Sequence, residues 1–218
     1  MYGGFVKWEM GAKEDGSDSI AIQVKPETHW SDMQILVCVV SSKQKETSST
    51  SGMRDSVKTS ELLKERVLNV PQTMEKMEKA INEKNFELFA YLTMTDSDNF
   101  HAVCKDTKPS IVYLNDVSWK IIGLVHAFNQ VSGKLRVTYT FDAGPNAVII
   151  LLKKDVHEFS AALQHYFPTK TFADVDFSDV NLSKLIENFG TVTFPEGLQY
   201  VLHTTLGEGP KVQKEHLF

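Results

Sequence analysis

The sequence predicts an α+β fold, because its strand-like and helix-like stretches are segregated along the chain. β-patterned runs open it, I-A-I-Q-V over 20–24 and M-Q-I-L-V-C-V-V over 33–40. Helical periodicity then dominates from Glu61 to Asn129, and a strand pair, a helix and a late strand follow. A regular βαβ sheet would interleave the two patterns, whereas blocks of each belong to α+β architectures.

Each element has a local signature. Tyr2, Phe5, Val6, Trp8 and Met10 read as the end of a buried element, and G-A-K-E-D-G-S (11–17) as a turn or loop. Ile20, Ile22 and Val24 alternate, which is the signal of a half-buried strand, and Pro26 ends it. The continuous apolar run over 33–40 predicts a strand covered on both faces. An apolar, patterned stretch directly after Met1 is unlike a frayed terminus, and it predicts that these residues are a fragment of a longer chain.

Residues 41–60 are rich in Ser and Thr, with Lys and Arg interspersed. Composition favours a flexible polar linker. The position straight after a buried strand also fits a loop whose hydroxyl and N–H donors hold phosphate oxygens. From Glu61 a helix is predicted up to Pro71, with Pro71 in the first turn of the next, where Met74, Met77 and Ile81 share a face. Asn85 is placed to cap a helix carrying Phe86, Phe89, Leu92 and Phe100. Residues 113–129 place Leu114, Val117, Ile121, Leu124, Val125 and Phe128 at helical spacing, which predicts a central buried helix ended near Ser132 and Gly133. A helix over 155–167, capped by Asp155 and stopped by Pro168, precedes an irregular acidic segment. A short helix over 182–189 and a late strand over 198–206 complete the pattern.

The 218 residues are 42% hydrophobic and 23% charged, enough for one large domain or one domain and part of another. A net charge of −5 argues against nonspecific nucleic-acid binding and still permits a local basic pocket. Two cysteines, Cys38 and Cys104, form no disulfide framework and fit a reducing, cytoplasmic setting. No apolar run approaches the ~18 residues of a membrane span, and no secretory signal is visible. The seven histidines show no H-E-x-x-H pattern and no Cys-x-x-Cys accompanies them, so no resident metal site is expected. His126, on an apolar helix, reads as a core or boundary residue; His101, in D-S-D-N-F-H, is either surface or near a site.

The stretch with most chemical content is T-F-D-A-G-P-N-A (140–147), between a β-rich run and an apolar one. Gly144 and Pro145 make it a tight connection between two strands. Asp142, at the strand end, reads in two ways: as a turn acid accepting hydrogen bonds from turn amides, or as a carboxylate held at the mouth of a site.

Several segments together resemble one family. They are Y-G-G-F-V-K-W (2–8), D-S-I-A-I-Q-V-K-P-E-T-H-W (18–30), S-S-T-S-G-M-R (48–54), L-T-M-T-D-S-D-N-F-H-A (92–102), Y-L-N-D-V-S-W-K-I-I (113–122) and Y-T-F-D-A-G-P-N-A (139–147). In this order they resemble the diphosphomevalonate decarboxylases, of the galactokinase, homoserine kinase, mevalonate kinase and phosphomevalonate kinase superfamily. The resemblance implies the end of a ribosomal-S5-domain-2-like lobe over 1–32 and the C-terminal α+β lobe over 33–218. It implies ATP-dependent decarboxylation of mevalonate 5-diphosphate to isopentenyl diphosphate, with ATP and Mg2+ as co-substrate, in a cytoplasmic homodimer. Asp142 matches the family's catalytic aspartate, Thr50 a diphosphomevalonate-binding residue, and Ser49 a serine of the same pocket. Ser48 and Met53 are neighbours, and Gly144 and Asn146 shape the turn. The family's ATP-phosphate loop and its substrate-binding arginine segment belong to a region before Tyr2. Two alternatives stand beside this: a related small-molecule kinase, and a non-catalytic form acting through association.

Overall fold

The computed structural model describes residues 2–40 and 48–211. The chain forms two compact units, Met1–Met33 with Thr205–Phe218, and Gln34–Thr204. Mixed helix and sheet, in segregated blocks, agree with the α+β expectation.

In the first unit, β1 (Phe5–Glu9) and β2 (Ile20–Lys25) pair antiparallel, with Val6 opposite Gln23 and Glu9 opposite Ile20. Phe5 and Trp30 are buried with ring centroids 6.2 Å apart. The buried-element expectation fails beyond Phe5. Val6, Trp8, Met10, Ile20 and Ile22 are exposed, Trp8 at 77%. These residues lie on both faces of the ribbon, and a two-stranded ribbon has no layer of its own to cover either, so alternation alone does not bury them.

The second unit is built on a four-stranded sheet of order β4-β5-β3-β6. Its strands are β3 (Met33–Val39), β4 (Val137–Phe141), β5 (Ala147–Leu152) and β6 (Tyr200–Thr205). β4 and β5 form an antiparallel hairpin in which Val137, Tyr139 and Phe141 face Leu151, Ile149 and Ala147. The helices are α1 (Ser49–Thr59), α2 (Glu61–Glu83), α3 (Phe86–Asp106), α4 (Asp116–Ser132), α5 (Val156–Tyr166) and α6 (Ser183–Phe189). α4 is the central helix the periodicity predicted. Asn115 and Ser118 form a reciprocal capping box at its start, and Gly133, at φ 69°, ends it in the left-handed region. Its Ile121, Leu124 and Val125 join Leu36, Cys38, Val137, Ile149, Leu151, Phe159, Leu163 and Phe167 in the main core. Each such large side chain contributes about 1.5–3 kcal/mol on burial.

Three local expectations give way. Residues 49–59 are helical, whereas the composition reads as linker or loop; residues 41–47 of that stretch lie outside the described residues. Ser and Thr compete with the backbone in helix interiors, but here Ser48 caps the first turn through the Ser51 N–H, and Gly52 and Ser56 are buried. The buried Ser56 and Thr107 hydroxyls meet at 2.7 Å, which fixes α1 on the end of α3. Pro71 lies inside α2, not at a new start. It removes one backbone donor, but α2 packs along α3 and the remaining bonds and contacts carry the helix through. Asp155 does not cap α5 with its side chain; its buried carboxylate accepts from Arg136 Nε at 2.7 Å, and Arg136 Nη2 reaches Glu158 at 2.5 Å.

Candidate active site

Asp142 sits where β4 ends, and the chain around it is fixed from three sides. The Phe141 N–H donates to Ser97 Oγ of α3 at 3.2 Å. The Ser118 hydroxyl, at the start of α4, donates to the Pro145 carbonyl at 2.9 Å. The Val40 N–H donates to Asn146 Oδ1 at 2.8 Å. Within the turn, the Gly144 N–H closes on the Asp142 carbonyl at 2.7 Å. Phe141 and Ala143 are buried, and the Asp142 side chain between them is exposed.

The turn-acid reading of Asp142 calls for hydrogen bonds from turn amides to its carboxylate. Among the described residues its carboxylate accepts no hydrogen bond and forms no ion pair. The side-chain tie from the turn is made by Asn146 instead. A carboxylate on a fixed strand end, with its oxygens uncommitted, is free for a ligand.

The carboxylate lines a cavity of about 320 Å³ together with Ser49, Gly52 and Met53 of α1, Arg66 of α2, and Phe100 and Cys104 of α3. Ile111 and Tyr113, from the segment leading into α4, close another wall. Asp142 and Ser49, far apart in sequence, therefore share one cavity. Thr50 follows on the same turn of α1, exposed, and is not among the lining residues. The first turn of α1 carries no acid and presents hydroxyls from Ser48, Ser49 and Thr50. A helix N-terminus of this kind favours anionic oxygens. Gly52 is required there by space. A Cβ at Gly52 would stand 2.6 Å from the Tyr113 hydroxyl.

The walls are mostly apolar and shift the groups they hold. Burial, then the neighbouring Cys104 and Asp142, raise the Tyr113 phenol above its ordinary value. Burial also raises the Cys104 thiol. His101, behind Asp142 on α3, is lowered by burial, with the Phe141 backbone and the Asp98 and Asp142 carboxylates opposing. Arg66 brings a cation to the cavity wall, paired with Asp96 at 2.8 Å. The described residues contain no cluster of three His, Cys, Asp or Glu side chains fit to hold a metal ion. No described helix is long and apolar enough to cross a membrane.

Sequence reading missed Arg66, Tyr113, Phe100 and Cys104 as wall residues. Nothing local marks them, because they meet only once α1, α2 and α3 pack. His126, read as core or boundary, is exposed and lies outside that cavity, its Nε2 3.3 Å from the Tyr139 hydroxyl.

The family model of the mevalonate 5-diphosphate decarboxylase C-terminal domain matches residues 35–213. A diphosphomevalonate decarboxylase of Rattus norvegicus is 49% identical over 219 residues, 97% of this chain and 55% of that protein. The mevalonate diphosphate decarboxylase from Trypanosoma brucei, 36% identical, has the same fold at a TM-score of 0.84 over 95% of this chain and 57% of that one. A more distant solved structure, MDDEF in complex with MVAPP, AMPPCP and magnesium, is 20% identical at a TM-score of 0.72 and shares the fold. The chain spans a little over half the length of the curated relatives it matches. With a domain match across most of its length and identities near one half, the chain belongs to the diphosphomevalonate decarboxylase family.

Proposed function

We propose that the chain serves in the ATP-dependent decarboxylation of mevalonate 5-diphosphate to isopentenyl diphosphate. The observation that carries this reading is the uncommitted Asp142 carboxylate sharing a cavity with the hydroxyl-bearing start of α1. A 3-hydroxy acid has no carbonyl at its β carbon to accept electrons, so direct loss of CO2 would leave an unstabilised carbanion. The γ-phosphoryl group of ATP goes to the tertiary hydroxyl oxygen, whose proton passes to Asp142. Phosphate then leaves with the C–O electron pair, the C–CO2 bond pair forms the double bond, and CO2 departs. The products are isopentenyl diphosphate, ADP, phosphate and CO2. Such a reaction needs a base or orienter at the hydroxyl and groups that hold phosphate charge.

In this reading Asp142 takes or orients the hydroxyl proton. Ser49 and Thr50, on the first turn of α1, donate to diphosphate oxygens, with the helix end adding its partial positive charge. Magnesium accompanies ATP as part of the co-substrate, as in the distant relative solved with AMPPCP and magnesium. Residues 1–32 belong to the lobe that handles ATP and 33–218 to the decarboxylase lobe, and the working form is a cytoplasmic homodimer. The test is a coupled ADP-release assay with mevalonate 5-diphosphate and ATP. It is run on this chain and on the chain joined to the N-terminal half of a relative. Turnover in the joined protein supports the reading; its absence from a folded joined protein contradicts it.

A further inference from the structure

α3 holds the Asp142 strand end at two points one helical turn apart. Ser97, almost fully buried, accepts the Phe141 N–H. His101, four residues on and so on the same face, sets its ring edge-on to that of Phe141, with centroids 6.2 Å apart and planes at 80°. The same imidazole meets Phe100 edge-on at 5.0 Å and 85°. Its ring thus contacts two aromatic groups, one of them Phe141, the residue before Asp142.

His101 Nε2 is buried and has no hydrogen-bond partner among the described residues. Leaving a buried polar group without a partner forfeits its hydration with no compensating bond, so such groups are normally satisfied in the working state. The Phe141 backbone, and then the Asp98 and Asp142 carboxylates, favour the charged form of His101, and none of them stands within hydrogen-bond geometry of Nε2. Asp98 already accepts from the Tyr139 hydroxyl at 3.0 Å. Asp142 is uncommitted, and its exposed side chain can change rotamer at low cost. Lys105, His126 and Tyr139 line a depression together with His101 and Asp98, and none of the three is an acceptor-only group.

We propose that His101 is a positioning residue for Asp142, donating a hydrogen bond from Nε2–H to the Asp142 carboxylate when the site is engaged. The bond holds the carboxylate in one rotamer toward the substrate hydroxyl, as a donor behind a reacting carboxylate does in other enzymes. This inference rests on Asp142 acting at that hydroxyl.

Two variants in the complete enzyme separate hydrogen bonding from packing. His101→Phe keeps an aromatic ring and loses the N–H; His101→Gln loses the ring and keeps an N–H donor. The expected result is that His101→Phe lowers kcat by about a hundredfold with KM nearly unchanged, the scale of a misplaced reacting group. His101→Gln recovers about tenfold of that loss. Activity of His101→Phe equal to or above that of His101→Gln overturns the proposal in favour of simple packing. A second measurement needs no turnover: the His101 imidazole is titrated by nitrogen NMR in the joined protein with mevalonate 5-diphosphate bound, and in its Asp142→Asn variant. Loss of the carboxylate is expected to lower the His101 pKa and move the Nε2 resonance; an unchanged titration overturns the pairing. If the unsubstituted joined protein shows no turnover while the NMR coupling is present, the decarboxylation reading has failed and the pairing has not.

Discussion

The Val40 N–H donates to the Asn146 side chain at 2.8 Å, joining the end of β3 to the turn that follows Asp142. The bond crosses most of the second unit's sequence and replaces the local Asx cap that the turn itself leads one to expect. Asn146→Ala leaves Val40 without that acceptor and frees the turn on one side. The expected loss is about 1–2 kcal/mol in chemical denaturation, with a larger proportional loss of turnover than of stability. Stability falling alone, with turnover of the folded protein intact, would show that the tie does not position Asp142.

Gly52 makes room for Tyr113 at the cavity wall. Gly52→Ala gains about 1 kcal/mol of helix propensity but sets a methyl 2.6 Å from the Tyr113 hydroxyl, which must move into the cavity. The expected signature is near-neutral stability with weakened substrate binding, read as a raised KM. Adding Tyr113→Phe removes the crowding atom and is expected to restore binding. A double variant no better than Gly52→Ala would place the defect elsewhere.

Arg136 and Asp155 form a buried pair at 2.7 Å, with side-chain exposures of 18% and 4%. Arg136 also covers the Phe128 ring at 5.0 Å. Arg136→Met leaves the Asp155 charge buried and uncompensated, and the expected cost is about 3–5 kcal/mol. Replacing both, as Arg136→Met with Asp155→Leu, is expected to recover most of it. Differential scanning calorimetry on the single and double variants makes the comparison.

Asp106, the last residue of α3, accepts from the Leu62 N–H at 3.1 Å and the Ser60 hydroxyl at 2.8 Å at the start of α2. The Leu62 N–H first, and then Ser60, hold its pKa below the ordinary 3.8. A depressed carboxylate contributes stability that is full above the unfolded-state value and is lost as pH falls through the folded-state value. The Tm advantage of the wild type over Asp106→Asn is therefore expected to be constant at neutral and mildly acidic pH. It is expected to shrink only below about pH 4. An advantage that shrinks on going from pH 7 to pH 5 would point to another group.

How much of this could be read from the sequence depends on whether the deciding interaction is local. The β4–β5 hairpin follows from the strand-like runs around A-G-P-N, and α4 from its periodicity and the Gly133 stop, although the helix starts at Asp116 under an Asn115 cap and not at 113. Residues 49–59 defeated composition because their helix is held by the Ser56–Thr107 bond and by burial against distant residues. Pro71 defeated the usual boundary rule because tertiary packing outweighed one missing donor. Asp142 stood out as a strand-end carboxylate before a tight turn, and Ser49 through the family resemblance, yet the sharing of one cavity is a property of the packed helices. Arg66 and Tyr113 had no signal at all before those helices met.

The most direct test is turnover of Asp142→Asn in the complete enzyme, followed as CO2 and ADP released from mevalonate 5-diphosphate and ATP. The turn is held by Asn146, Ser97 and Ser118 and not by Asp142, so this variant is expected to fold normally. Its kcat is expected to fall on the order of a thousandfold or more, with an unchanged thermal transition. Turnover within a few-fold of the wild type would contradict the assignment of Asp142 and, with it, the reading of the cavity as the reaction site.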